Sequence, residues 1–335
     1  MFFQAFQHET LELPKVLTDK LHFIPDLLTE SKANNTVKKY YYGFLRWKRW
    51  ALDNQIPEVD VLPAKALHVA LYLACLVQSS NTVSTVVQAF YSINWAHSVI
   101  CVDSPTKSYL VKNVLEGAKR RLAVPIKRKN PITPDLLEKM YNKFFCIENI
   151  YNQRTICACL LSYAGFLRIS ELLNLRRCDI QFFPTHISLF IEKSKTDVYR
   201  DGSRLVIAKT ASRLCPVKNL ELYLLWTGIK EDSDEYLFRN LVKVGETHIF
   251  RTTDNPMSYT RMRELFIDTF SPFVDDIRNY GLHSLRSGGA TAAANLGVSD
   301  RIFKRHGRWR SDRAKDGYVR DDLTERLLVS QNLGL

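Results

Sequence analysis

Four short clusters along the 335-residue chain carry side chains suited to chemistry on an anion. In the first, Gly165-Phe166-Leu167-Arg168-Ile169-Ser170-Glu171-Leu172, Arg168 and Glu171 stand three apart, so on a helix they share a face. The second, Lys193-Ser194-Lys195-Thr196-Asp197, follows a strand pattern and opens a turn-rich stretch. The third, His283-Ser284-Leu285-Arg286-Ser287-Gly288-Gly289-Ala290, sets His283 and Arg286 on one helix face, and its Gly288, Gly289, Ala290 and Ala292 allow close packing. The fourth is Gly307-Arg308-Trp309, with Tyr318 nine residues after the tryptophan. Guanidiniums offer planar forks of donors to anionic oxygens, an ammonium or imidazole can move a proton, and an indole N–H only donates. A phenol with a pKa of about 10 stays largely protonated at neutral pH. Taken singly, each cluster also has an ordinary reading: a surface ion pair, a solvated hairpin lysine, one tyrosine among 15.

The elements that must position these groups follow from composition and periodicity. A hydrophobic content of 46% excludes disorder, and a net charge of +12 favours a polyanionic partner, nucleic acid or an anionic membrane surface. The longest apolar stretches, 66–77 and 155–167, fall short of the roughly 20 residues of a membrane span. The N-terminus lacks a basic region followed by a long apolar one, so an intracellular address is expected, nuclear in a eukaryotic source and cytoplasmic in a bacterial one. Seven cysteines without CxxC spacing read as reduced thiols packed like small hydrophobes, with Cys157 and Cys159 on different faces of a helix. No carboxylate cluster has metal-ligand spacing; neither a metal nor a cofactor is expected.

Residues 31–50, 63–78, 81–99 and 104–122 each show helical periodicity, which predicts a small all-helical bundle. The first interleaves Lys38, Lys39, Arg46, Lys48 and Arg49 with Tyr40, Tyr41, Tyr42, Trp47 and Trp50, which suits phosphate contact beside a packed aromatic face as well as it suits a core stripe with a solvated edge. Between 119 and 129, Lys119, Arg120, Arg121, Lys127, Arg128 and Lys129 surround Pro125, and Pro131 and Pro134 follow; like charges and prolines predict an extended connection. Beyond it, helices are expected at 152–164, 168–175, 217–226, 258–270, 283–296, 300–306 and through Tyr318, with strands at 186–192 and 204–208. The fold class is therefore mainly α with a small antiparallel β-sheet, an α+β arrangement. Residues 1–125 hold 14 Lys+Arg against 10 Asp+Glu and the remainder 33 against 25, so both halves share the positive excess.

The order and spacing of the four clusters together resemble the tyrosine recombinase (phage integrase) superfamily over nearly the whole chain. The resemblance is to the Cre-like branch, which has Trp where many members have His, and residues 283–327 are similar to the recombinases of DIRS- and Ngaro-type retrotransposons. It implies a helical core-binding (SAM-like) DNA-binding domain at 1–124, a basic linker at 125–134 and a catalytic domain at 135–335 whose C-terminal segment serves oligomerisation. Val319, Leu323, Leu327 and Leu328 give that segment an apolar stripe, equally suited to packing on its own domain or on a neighbour.

The resemblance implies double-stranded DNA as partner, a homodimer on inverted half-sites and a homotetramer in synapsis, without metal or cofactor. Tyr318 would attack a phosphodiester to form a 3′-phosphotyrosyl link. Arg168 and Arg286 would stabilise the nonbridging oxygens, with Trp309 as a further donor. His283 would take the Tyr318 proton or bond a phosphate oxygen, and Glu171 would orient its neighbours. Lys195 would protonate the departing 5′-oxygen, with Lys193 the alternative two residues away. His306, three residues before Trp309, reads as a helix-end residue capped by Gly307. Lys38, Lys39, Lys48, Lys119, Arg120, Arg121, Lys127, Arg128 and Lys129 are the expected DNA contacts. A catalytically silent DNA-binding descendant and a type IB topoisomerase-like relaxing enzyme are the competing readings.

Overall fold

Residues 6–125, 127–147, 149–192, 202–321 and 323–334 are described by the computed structural model, which divides into two compact units, Met1–Ile126 and Lys127–Leu335. In the first unit three short helices, α1 (Gln7–Leu11), α2 (Lys15–Thr18) and α3 (Phe23–Glu30), precede α4 (Asn34–Asp53), α5 (Ala66–Ser79), α6 (Val83–Val99) and α7 (Tyr109–Arg121). The last four are the periodic segments of the sequence, shifted by three residues or fewer at most ends. The α4 stripe of Phe44, Trp47 and Ala51 is buried. Trp47 stacks on Trp50, leans on Tyr72 and donates its indole N–H to the Val61 carbonyl at 3.0 Å. Gly43 lets α4 meet α6, since a Cβ there would overlap the Ser92 hydroxyl. His97 is buried with both ring nitrogens used: Nε2 accepts the Ala64 N–H and Nδ1 donates to the Ile93 carbonyl, both at 2.8 Å. Burial holds it neutral, its pKa below the ordinary 6.5.

The basic segment 119–129 is not one extended connection. Helix α7 continues through Lys119, Arg120 and Arg121, because Leu115 and Ala118 anchor it and cations in a last turn complement the helix C-terminus. Farther on, the Asn130 N–H donates to the Asn279 carbonyl at 2.7 Å and the Ile132 N–H to Ser284 at 2.9 Å, so this stretch is stitched to the second unit. Pro134, read as part of an extended run, instead opens a helix, α8 (Pro134–Phe144): proline suits a first helical position, and the Thr133 hydroxyl caps it.

The second unit continues with α9 (Ile150–Ala164), α10 (Ile169–Leu173), β1 (Ile180–Phe182), β2 (His186–Ile191), β3 (Ser203–Ala208), α11 (Pro216–Thr227), β4 (Leu241–Val244), β5 (Thr247–Phe250), α12 (Tyr259–Phe270), α13 (His283–Asn295), α14 (Asp300–Gly307), α15 (Asp312–Asp316) and α16 (Leu323–Gln331). Strands β1-β2-β3 form an antiparallel sheet whose pairs Ile187↔Ile207 and Leu189↔Leu205 bury one face. A separate hairpin, β4–β5, was not anticipated, although Leu-Val-Lys-Val, Gly245 at φ 58° and Thr-His-Ile-Phe carry an alternation and a turn that signal it.

Helix α9 is buried on every side from Gln153 to Ser162, so Cys157 and Cys159 are both inaccessible although they leave it in different directions. Burial pushes the Cys159 thiol up to about 12. Cys215 is buried too, but Cys75, Cys101, Cys146 and Cys178 are exposed, against the expectation of packed thiols; all seven are free. Gly288 and Gly289 bring α13 against α9: a Cβ at either would overlap the Ile132 or the Tyr163 carbonyl oxygen. Among the described residues no helix is long and apolar enough to cross a membrane. Val319 packs on its own unit, while Leu323, Leu327 and Leu328 of α16 are exposed.

Candidate functional site

The site begins where α9 stops. Gly165 ends the helix, Phe166 takes a left-handed backbone (φ 44°), and Arg168 becomes the residue preceding α10. A non-glycine residue held at positive φ costs about 1–2 kcal/mol. Here the turn presents the Gly165 and Phe166 carbonyls to cationic side chains from α13 and from the turn after α14. The α9–α13 contact made by the two glycines sets the distance across which they meet.

Glu171 is the hub. Its Oε2 accepts the Arg168 backbone N–H at 2.9 Å and its Oε1 the Arg168 Nη1 at 2.6 Å. Arg308 Nη2 lies 2.8 Å from Oε2, and Arg286 Nη1 3.9 Å from the same atom. Burial alone would raise the Glu171 pKa, but Arg308 and Arg168 outweigh it and hold the carboxyl below its ordinary value. Three guanidiniums thus share one carboxylate, a formal excess of two positive charges with Arg286 and Glu171 each only 1% exposed. Burial, with the Arg168 and Arg308 cations beside it, lowers the Arg286 pKa from its ordinary value.

Arg286 is held by backbone: Nη1 donates to Phe166 and Nη2 to Gly307 at 2.7 Å. Its guanidinium carbon lies 5.0 Å from the centre of the Trp309 ring and 4.8 Å from that of Tyr318, and the two rings are 5.6 Å apart. Among the described residues, the buried Arg286 Nε and Trp309 Nε1 have no hydrogen-bond partner. Other buried polar atoms lack partners too, Trp95 Nε1, Arg154 Nε and, at this site, Arg308 Nε among them; Arg286 and Trp309 are the ones whose side chains lie against the Tyr318 ring. Tyr318 lies just past α15, half-buried, not within a helix as expected. The segment is pinned to α13 by Thr291, whose hydroxyl donates to the Tyr318 carbonyl at 3.5 Å and accepts the Arg320 N–H at 3.1 Å.

Five expected site residues, Arg168, Glu171, Arg286, Trp309 and Tyr318, therefore meet within one chain. His283 is exposed at the first position of α13, one turn before Arg286. Lys195 and its alternative Lys193 lie outside the described residues. His306 is not capped by Gly307, which still belongs to α14; the cap is Arg308, left-handed at φ 55° and ψ 41°. His306 donates from Nε2 to the Ala164 carbonyl at 2.8 Å, tying α14 to the last residue of α9. Arg308 itself was passed over in the sequence. Its signal was its place inside Gly-Arg-Trp, but nothing in the spacing tells whether its side chain points inward.

The expected DNA contacts differ in availability. Lys38, Lys39, Arg120, Arg121, Lys127 and Arg128 are exposed, and Lys129 is exposed but donates to the Arg278 carbonyl. Lys48 is paired with Glu58 at 2.7 Å and Lys119 with Glu116 at 2.6 Å. Among the described residues no group of three or more His, Cys, Asp or Glu could hold a metal ion.

No family model matches the chain. It is 25% identical over 297 residues, 87% of its length and 83% of the other protein's, to an integrase/recombinase XerD homolog of Selenomonas ruminantium. Its fold is similar to that of XerH, a site-specific recombinase solved on a palindromic difH substrate after cleavage, with a TM-score of 0.57, 14% identity and 89% and 77% of the two chains covered. It is likewise similar to lambda integrase (residues 75–356), solved as a dimer on a COC′ core site: TM-score 0.55, 16% identity, 90% and 94% covered.

Proposed function

We infer that the chain is a tyrosine recombinase, a site-specific DNA recombinase or integrase that breaks and rejoins strands by transesterification, a reading supported by its likeness to the XerD homolog and by its fold. The observation that carries this reading is the buried excess of two positive charges beside Tyr318, with the Arg286 Nε–H and Trp309 Nε1–H short of an acceptor among the described residues. A buried donor left unmade costs about 1–3 kcal/mol. A phosphodiester would satisfy both, and its pentacoordinate transition state carries two negative charges, matching the excess.

In this mechanism the Tyr318 oxygen attacks phosphorus and the bond from phosphorus to the 5′-oxygen breaks, leaving a 3′-phosphotyrosyl link and a 5′-hydroxyl. Reversal by another 5′-hydroxyl rejoins strands, so neither water nor a nucleotide triphosphate is consumed. Arg168 and Arg286 bind the nonbridging oxygens, and Trp309 adds a donor. His283 takes the phenol proton or bonds a phosphate oxygen, and Lys195, or Lys193, gives a proton to the leaving oxygen. General acid catalysis of that kind contributes about 10²–10⁴-fold. Trp309 in place of His supports a reading of the chain as Cre-like, akin to the DIRS- and Ngaro-type recombinases.

The first unit would serve as the core-binding domain, with Lys38, Lys39, Arg120, Arg121, Lys127 and Arg128 on the phosphate backbone. Lambda integrase has also been solved as a tetramer on a Holliday junction. By analogy this chain would bind each site as a dimer and act in synapsis as a tetramer. It would act inside the cell, in the nucleus of a eukaryote or the cytoplasm of a bacterium.

The test is covalent capture. Purified protein is incubated with a pool of nicked duplexes whose central region is randomised, and adducts that survive detergent but not protease are sequenced. Wild type should enrich one half-site, and Tyr318→Phe should bind that half-site yet form no adduct. Tight binding by wild type with no adduct would sink the reading.

A further inference from the structure

Arg308 occupies a position that glycine would fill without strain. It caps α14 in the left-handed region, with φ 55° and ψ 41°, and yet its side chain turns inward and is 8% exposed. There it makes four hydrogen bonds. Nη1 donates to the His306 carbonyl at 2.9 Å and the Gly165 carbonyl at 3.3 Å; Nη2 donates to the Phe166 carbonyl at 3.1 Å and to Glu171 Oε2 at 2.8 Å. Two of these acceptors also serve Arg286, which donates to the Phe166 carbonyl and lies 3.9 Å from Glu171 Oε2. The two arginines therefore compete for one carboxylate oxygen, and Arg308 is the one in hydrogen-bond contact.

We propose that Arg308 is a positioning residue for strand cleavage: by occupying Glu171 it keeps Arg286 from collapsing onto that carboxylate and leaves the Arg286 guanidinium for the phosphate. The proposal rests on the strand-transfer reading and adds to it a residue outside the expected set. Without the Arg308 guanidinium, Oε2 would keep only the Arg168 backbone N–H, the Arg168 guanidinium being engaged by Oε1, and Arg286 Nη1 at 3.9 Å is a cation able to move onto it. A shift of about 1 Å would turn that separation into a direct ion pair, and the donor would be withdrawn from the reacting oxygens. The same residue sets the turn that leads directly into Trp309, whose ring covers Gly307. Arg308 touches no reacting atom in this scheme; it acts through Glu171 and Arg286.

Arg308→Gly separates side chain from backbone, since glycine keeps the left-handed turn and removes only the guanidinium. Single-turnover adduct formation on the captured half-site is the readout, with equilibrium binding measured beside it. A misplacement of about 1 Å can cost up to about 100-fold. Arg308→Gly should bind the half-site within about twofold of wild type and cleave it roughly 10- to 100-fold more slowly. The decisive variant is the double substitution Arg308→Gly with Glu171→Gln. A neutral amide no longer draws Arg286 away, so the double should cleave faster than Arg308→Gly alone, an outcome that a purely structural tether would not give. Cleavage by Arg308→Gly at the wild-type rate, or a double variant no faster than that single one, overturns the proposal. Absence of an adduct with wild type overturns the strand-transfer reading beneath it, and the two failures are thereby told apart.

Discussion

Two buried tryptophans show how differently the two units use one residue type. Trp47, with no exposed surface, sits among Trp50 and Tyr72 in the first unit and spends its N–H on the Val61 carbonyl. Trp309, 7% exposed, sits among Phe166, Phe303 and Tyr318 in the second, and its N–H has no partner among the described residues. The histidines differ in place: His97 is buried among the helices of the first unit, while His283 is exposed at the first position of α13, one turn from Arg286. Aromatic burial in the first unit is architecture. In the second the same burial keeps donors dry beside a phenol, where a charged substrate gains most from them.

The contrast breaks hardest at its architectural end. Trp47→Ala should destabilise the first unit by about 3–5 kcal/mol, seen as a lower denaturant midpoint for its unfolding. If the loss is under about 1 kcal/mol, Trp47 is not the keystone described. Next, Arg286→Ala should slow adduct formation by about 10²–10³-fold while half-site binding persists, since affinity comes mostly from exposed phosphate contacts. Equal losses in both would make Arg286 a binding residue only. Trp309→Phe keeps the ring and drops the donor: unfolding should shift by less than about 1 kcal/mol, with cleavage down about tenfold. Wild-type cleavage by this variant would erase the distinction between the two tryptophans.

Acid offers the mildest test, because each unit buries a histidine and only the second buries a carboxylate among guanidiniums. The pKa of His97 is lowered on folding, so its contribution is complete above the ordinary 6.5 and is lost as pH falls from there toward the folded value. Glu171 is lowered from an ordinary 4.5, so its contribution is complete above that value and is lost only as pH falls below it. His306 of the second unit is lowered from 6.5 by burial as well, so unfolding followed with signals specific to each unit should show both units weakening as pH falls below 6.5, and the second losing the Glu171 contribution only below 4.5. A stability of either unit that does not change between about pH 7 and 5 would contradict the burial assigned to its histidine.

Much of the site is legible in the chain because helix periodicity and fixed intervals are local. Arg168 and Glu171, His283 and Arg286, and the interval from Trp309 to Tyr318 can be read without knowing what packs against them, and five of these residues meet in the fold. Arg308 could not be read so, because its left-handed backbone and inward side chain depend on the carbonyls that Gly165 and Phe166 present from a turn about 140 residues earlier. Pro134 misled for a related reason: the same ring that ends a helix also begins one, and the Thr133 cap decides between them. Charge was legible as a total but not as a resource, since Lys48 and Lys119 prove to be paired locally while Arg120 and Arg121 stay exposed.

Sequence alone determined the four longer helices of the first unit, most of those of the second, the two apolar alternations that pair as β2 and β3, and the candidate donors and tyrosine of the site, because each depends on neighbours within a few residues. Only the tertiary structure decided which cations share Glu171, that Gly288 and Gly289 bring α13 onto α9, and that three guanidiniums converge with an excess of positive charge beside Tyr318. Those are properties of approach between segments far apart in the chain, and local periodicity carries no information about them.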